Sequence, residues 1–123
     1  MFFTKWFKKK YYTPLIHIQF TGASKDVEVL CNVPKLVDIL KDKQDKVCEE
    51  LSTLRRLIPP SLNEYIISID VWLTGGEVKT TLNYTWLLRK YLKTPSELII
   101  NRLNNIFGEA IKMVIVNKTL YGD

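Results

Sequence analysis

The chain of 123 residues contains few of the side chains that build catalytic centres, disulfide frameworks or metal sites. It has one histidine, His17, and two cysteines, Cys31 and Cys48. The separation of the cysteines matches neither a zinc site nor a disulfide scaffold. We interpret both as small apolar side chains in a reducing compartment, and His17 as a surface or packing residue of a strand.

Catalytic and cofactor-binding motifs are also missing from the sequence. It contains no GxxxxGK[ST] phosphate loop, no GxGxxG fingerprint and no GxSxG nucleophile elbow. The carboxylates of Glu49, Glu50, Glu64 and Asp70 are expected to be solvated. We therefore predict a protein that is not an enzyme and that has no cofactor, no metal and no small-molecule substrate.

Long hydrophobic runs are absent, and the longest runs from Met113 to Val116. A membrane-spanning helix needs ~20 apolar residues, and the N-terminus has no apolar signal region. We expect a cytoplasmic protein, or a virion protein if the gene is viral. The abundance of Lys, Ile, Asn and Tyr is typical of low-GC genes, which are common in phages and other mobile elements.

The positive charge is concentrated at the two ends of the chain. The formal net charge is +5: residues 1–10 carry +4, residues 11–84 carry −2, residues 85–118 carry +4 and Asp123 carries −1. Electrostatic attraction to phosphate groups is therefore expected at the ends and not in the middle.

Hydrophobic periodicity predicts two β-hairpins, each followed by a helix. Residues 15–31 alternate around a Gly-Ala-Ser turn, and residues 64–84 alternate around Gly75-Gly76, which predicts a type I′ turn with Thr74 opposite Glu77. Apolar residues at three- and four-residue steps predict a long helix over residues 33–58, with Asn32 as a cap. The alternative is two helices with a break within residues 41–46.

The last third of the sequence predicts two helices and a strand. Thr85 would cap a short helix, "WLLRKYLK", and residues 94–97 form a capping box that starts a second helix, which Gly108 would end. The buried side of that helix is predicted to comprise Leu98, Ile99, Leu103, Ile106 and Phe107. The segment "AIKMVIVNKTLY" is predicted to be a strand, with an extension of the helix as the alternative.

The resulting order, ββα-ββα-α-β, predicts a single α+β domain over residues 13–123. In this domain, helices cover one face of a mainly antiparallel sheet built from the two hairpins. Residues 1–12 are predicted to form a separate basic and aromatic N-terminal arm.

The N-terminal arm leads to the first functional hypothesis, a small assembly or adaptor subunit. The sequence "MFFTKWFKKK" supplies aromatic anchors and lysines for docking onto a protein partner or a second copy of the chain. The residues predicted to bind the partner are Phe2, Phe3, Trp6, Phe7, Lys8, Lys9 and Lys10. The same residues on a helix would form an interfacial anchor, so a peripheral membrane protein is an alternative.

The other alternative is a nucleic-acid-binding accessory protein that uses the basic helices at residues 85–107. Arg89, Lys90, Lys93 and Arg102 are predicted to contact phosphates, in a layout that resembles a helix-turn-helix. The match departs from that motif because Arg89, Lys93 and Arg102 replace small, glycine and apolar residues. Trp72 beside Lys79 would offer a second surface for single strands, or a cation–ring pair that stabilises the hairpin.

Overall fold

A five-stranded sheet forms the centre of the α+β domain. The computed structural model describes residues 2–5, 14–22, 27–31 and 33–117, with side chains at 14–22, 27–31 and 33–114. The strands are β1 (Phe2–Lys5), β2 (Ile16–Thr21), β3 (Val27–Cys31), β4 (Ile66–Thr74) and β5 (Glu77–Tyr84). Across the sheet the strand order is β1-β3-β2-β4-β5, in which β1 is parallel to β3 and the other neighbours are antiparallel.

The turn between β4 and β5 has the predicted conformation and register. Gly75 and Gly76 have φ angles of 58° and 83°, which are the positive values that a type I′ turn requires. Thr74 pairs with Glu77, and the ladder continues without a slip to Ile67 opposite Tyr84. This prediction is confirmed.

The sheet has one buried face and one partly open face. Buried and less buried residues alternate along β2, β3 and most of β4, because successive side chains of a strand point to opposite faces. The buried face includes Ile16, Ile18, Phe20, Val29, Ile67, Ile69 and Val71. The other face carries His17, Asp70 and Trp72.

The helices pack on the buried face. They are α1 (Pro34–Asp42), α2 (Gln44–Arg56), α3 (Arg89–Leu92) and α4 (Ser96–Asn117), with a 3₁₀ turn at Trp86–Leu88. The predicted continuous helix over residues 33–58 is wrong, because Lys43 has φ −101° and ψ 7° and separates α1 from α2. Residues 41–46 include no buried side chain that would hold a continuous helix against the core. Val33 is the N-cap of α1, while Asn32 lies outside the described residues.

Residues 110–117 of the predicted C-terminal strand form a helix instead. α4 continues through Gly108 to Asn117, so the alternative of a helical extension is the correct one. Met113 is 50% exposed and Val114 is 2% exposed, which contradicts the predicted alternation of Ile111 and Met113 on one face. The buried positions instead follow the helical period: Leu103, Phe107, Ala110, Ile111 and Val114.

Two further predictions for this region need correction. The segment "WLLRKYLK" is helical as predicted, with a 3₁₀ turn followed by the four-residue α3, but Thr85 at its N-cap position makes no capping side-chain hydrogen bond. Leu98, predicted to be buried, is 61% exposed, whereas Ile99, Leu103 and Phe107 are buried as predicted. No helix within the described ranges is both long and apolar enough to cross a membrane.

Candidate functional site

The connection between β5 and α4 is anchored to the domain from one side. Leu88 and Leu92 are fully buried. The Thr85 N–H donates to Ile66 O at 3.1 Å, and the Ile66 N–H donates to Thr85 Oγ1 at 3.0 Å. These contacts fix the start of the connection at the end of the sheet.

The opposite side of this connection exposes an indole and a leucine. Trp86 is 78% exposed, and Leu87 is 46% exposed. In a 3₁₀ turn, three residues complete one full turn, so burying Leu88 leaves the two preceding side chains on the outside. A large aromatic side chain with this exposure is a candidate contact residue, since tryptophan is enriched where partners bind.

Trp86 and Leu87 line a surface groove of about 690 Å³, together with Arg89, Lys90, Lys93 and Thr94. We call this feature the Trp86 groove. Its three basic side chains are exposed, and within the described part of the chain none of them forms a salt bridge. The Lys90 ammonium lies 5.8 Å from the centre of the Tyr91 ring. The groove therefore combines an aromatic surface with an excess of positive charge.

Arg102, the fourth residue of the predicted basic set, does not line the groove. Its Nε donates to Glu50 Oε1 at 2.8 Å, and this ion pair joins α4 to α2. The structure thus brings three of the four predicted phosphate-binding residues together and places the fourth in a contact between helices.

Trp72 and Lys79 are cross-strand neighbours, as predicted from the turn. Trp72 is half-buried, and its indole Nε1–H donates to Thr81 Oγ1 at 3.4 Å. This hydrogen bond occupies the polar edge of the ring within the hairpin. Among the described residues, no cation–ring contact joins Lys79 to Trp72, so the indole contributes to the hairpin through Thr81.

Sequence reasoning missed a polar cluster on the open face of the sheet. β2 pairs with β4 so that His17 lies opposite Asp70, and His17 Nδ1 forms a hydrogen bond with Asp70 Oδ1. His17 Nε2 lies 3.4 Å from Gln19 Oε1. Asp70 was expected to be solvated, but its side chain is 16% exposed. The sequence did not reveal that β2 pairs with β4, and this pairing brings His17 and Asp70 together.

The start of the predicted N-terminal arm belongs to the sheet. Phe2–Lys5 form β1, with Phe2 opposite Val27 and Phe3 opposite Glu28, so a helix over these residues is wrong. The remaining predicted contact residues, Trp6, Phe7, Lys8, Lys9 and Lys10, lie outside the described residues.

The Trp86 groove has the chemistry to hold a flat ring and a chain of anions. An indole face stacks on planar bases, and arginine and lysine side chains donate to phosphate oxygens. Comparison of the chain with protein-family models, with curated proteins and with solved structures gives no match.

Proposed function

We propose that the chain is a small, non-catalytic nucleic-acid-binding accessory protein whose Trp86 groove holds a single strand. The observation that carries this proposal is the exposure of Trp86, at 78%, beside Arg89, Lys90 and Lys93. Stacking of a base on an aromatic side chain contributes about 1–3 kcal/mol, and it is available wherever the ring face is open.

The shape of the connection supports a single strand over a duplex. A recognition helix enters the major groove with several side chains along its length. α3 has four residues, which is about one helical turn. A short turn that presents one ring and three flexible cations is better suited to a strand whose bases are already unstacked.

A salt titration tests the proposal. Binding of a fluorescent oligothymidylate of about ten nucleotides is measured by anisotropy at several salt concentrations, with the matching duplex as comparison. Replacing Arg89, Lys90 and Lys93 by Ala should flatten the slope of log K against log[salt] by about two, because each single-strand phosphate contact contributes ~0.7.

The matched control removes three exposed lysines from α1 and α2. The triple variant of Lys35, Lys41 and Lys46 to Ala has the same net charge as the groove variant. It should retain the wild-type slope. Absence of binding at low salt, or equal losses in both triple variants, would contradict the proposal.

We further propose that the N-terminal arm is a second docking element for a protein partner or another copy of the chain, as in an adaptor subunit. The support is the sequence of the arm, which combines aromatic side chains with lysines, the composition of an interface anchor. Deletion of residues 1–10 would also remove β1, so substitutions give a cleaner test.

Trp6→Ala and Phe7→Ala should each weaken self-association or partner binding by ~2 kcal/mol, since aromatic anchors dominate many interfaces. Lys8→Ala should have a smaller, salt-dependent effect. Analytical ultracentrifugation measures self-association. A wild-type monomer that co-sediments with anionic vesicles would instead support the membrane alternative.

A further inference from the structure

A second cation-bearing cavity lies on another part of the molecule. It has a volume of about 400 Å³ and is bordered by the end of β2, the end of α2 and the segment that leads into β4. Its polar lining comes from Arg55, Arg56, Asn63 and Tyr65. We call it the Arg55 cavity; it shares no lining residue with the Trp86 groove.

The Arg55 side chain lines this cavity, and none of the described carboxylates pairs with it. Its guanidinium lies 4.8 Å from the centre of the Phe20 ring, and Phe20 is itself 2% exposed. Among the described residues, Arg55 forms no salt bridge, and its Nη2 is buried without a hydrogen-bond partner. A buried donor without an acceptor is destabilising, most of all on a charged group.

The walls of the cavity are closely packed. The Gly22 N–H donates to Tyr65 O at 3.2 Å. A Cβ at Gly22 would lie 2.4 Å from Tyr65 Cε2 and 2.7 Å from Asn63 O, so a side chain cannot be added without moving the wall. Tyr65 is 7% exposed. The wall at Gly22 is thus built by tight tertiary contacts.

The lining also has an apolar part. Ile58, Pro59, Pro60 and Leu62 contribute to it. Arg56 lines the cavity as well, and its Nη2 donates to Thr53 Oγ1 at 3.3 Å. A bare inorganic ion would leave this apolar wall without a contact, and a small apolar molecule would leave the Arg55 guanidinium without an acceptor.

We infer that the Arg55 cavity binds a small organic oxyanion, a carboxylate or a phosphate monoester, whose charged group accepts hydrogen bonds from Arg55. A guanidinium presents paired donors that match the oxygens of either group. The Phe20 ring orients the guanidinium from one side. The organic part of the ligand packs against the proline-containing wall.

The test uses phenyl phosphate and benzoate as probes, with inorganic phosphate and phenol as their charged and uncharged fragments. Binding to the full chain is measured by calorimetry, and the site is located by ¹H–¹⁵N NMR. Phenyl phosphate or benzoate should bind more tightly than either fragment and should shift the amide signals of Gly22 and Tyr65. The tighter of the two probes identifies the charged group.

Arg55→Met should weaken binding of the tighter probe by at least about tenfold, because it removes the charged donors while keeping an extended side chain. Arg55→Lys should weaken it less, since the charge remains. Lys41→Met removes the same charge at an exposed position of α1 that lines neither the Arg55 cavity nor the Trp86 groove, and it should leave probe binding unchanged. Each variant's thermal transition is recorded first, so that binding is compared between folded proteins.

The inference is overturned if neither probe binds, or if the amide shifts map to the Trp86 groove. It is also overturned if Arg55→Met and Lys41→Met weaken binding equally. Failure of either oligonucleotide binding or probe binding leaves the other result intact, because the two sites share no lining residue.

Discussion

Arg55 and Arg89 carry the same side chain, yet the domain packs them in different ways. The Arg55 guanidinium is stacked on the buried Phe20 ring, and one of its nitrogens is buried and unpaired among the described residues. Arg89 is exposed at an open groove, beside two exposed lysines. Burial strengthens and orients the electrostatic interaction of the first, whereas water and salt screen that of the second.

This difference in packing predicts different ligands. A fixed guanidinium in a small cavity recognises one charged group with defined geometry. Exposed cations next to an indole recognise a chain of charges, with an affinity that depends strongly on salt. Stability and binding should therefore respond separately when the two regions are altered.

The largest expected effect is on the free energy of unfolding, at the buried ring that contacts Arg55. Phe20→Ala should lower the free energy of unfolding by ~3–5 kcal/mol, because it opens a cavity in the core and removes the ring beneath Arg55. Trp86→Ala should change it by no more than about 0.5 kcal/mol, since that side chain is exposed. Urea unfolding measures both. Similar losses for the two variants would show that Trp86 belongs to the core.

A matched pair of glycine substitutions tests the packing of the cavity wall. Gly22→Ala should destabilise the domain by ~1–3 kcal/mol, because its Cβ would overlap Tyr65 and Asn63. Gly108→Ala should stabilise it by about 0.5–1 kcal/mol, because this position lies inside α4 with open space around the new Cβ. Thermal or urea unfolding compares them. The opposite order would contradict the described wall.

The two cysteines predict how the stability of the domain depends on pH. Burial raises the pKa of the Cys31 thiol from 9.0 to about 11. The unfolded chain therefore ionises this thiol at a lower pH than the folded chain does. The stability that the neutral, buried thiol contributes is fully present below about pH 9 and is lost as the pH rises through about 11. Cys48 is half-buried, and burial also raises its pKa.

The loss from Cys31 should be on the order of 2 kcal/mol at the upper end of this range. Urea unfolding of wild type, Cys31→Ala and Cys48→Ala is compared at about pH 8 and about pH 10.5. Cys31→Ala should show the weakest dependence on pH. An unchanged dependence in Cys31→Ala would contradict the assignment.

The smallest effect is expected at Arg102. Its ion pair with Glu50 is partly exposed, so Arg102→Ala should cost about 0.2–1 kcal/mol of stability. It should change oligonucleotide affinity by less than about twofold, because the side chain does not line the groove. A double-mutant cycle with Glu50→Ala measures the pair. If Arg102→Ala flattened the slope of log K against log[salt] as much as Lys93→Ala does, Arg102 would belong to the binding surface.

Local patterns made much of the fold predictable. Gly75-Gly76 fixes the register of β4 and β5, because a two-residue turn determines which residues face each other. The hairpins and most helices follow from their apolar periods. The end of α4 was predicted wrongly, because its β-branched residues also fit a period of two and the choice depends on which side chains meet the core.

The functional surfaces were less predictable. The basic residues of the Trp86 groove are visible in the sequence, but Trp86 itself lies in the apolar run "WLL", and its exposure depends on Leu88 filling the core. The His17–Asp70 pair joins positions 53 residues apart, which no local pattern encodes. Arg55 became a candidate because tertiary packing sets it beside Phe20 and leaves one nitrogen without a partner in the part of the chain that the structure describes.

The most direct test of nucleic-acid binding observes the indole N–H signals of the tryptophans by ¹H–¹⁵N NMR, assigned with Trp86→Phe and Trp72→Phe variants. Titration with an oligothymidylate should shift the Trp86 signal strongly, because its ring is exposed in the groove. The Trp72 signal, whose N–H is bonded to Thr81, should stay in place. A Trp86 signal that does not move while the oligonucleotide binds would contradict the account.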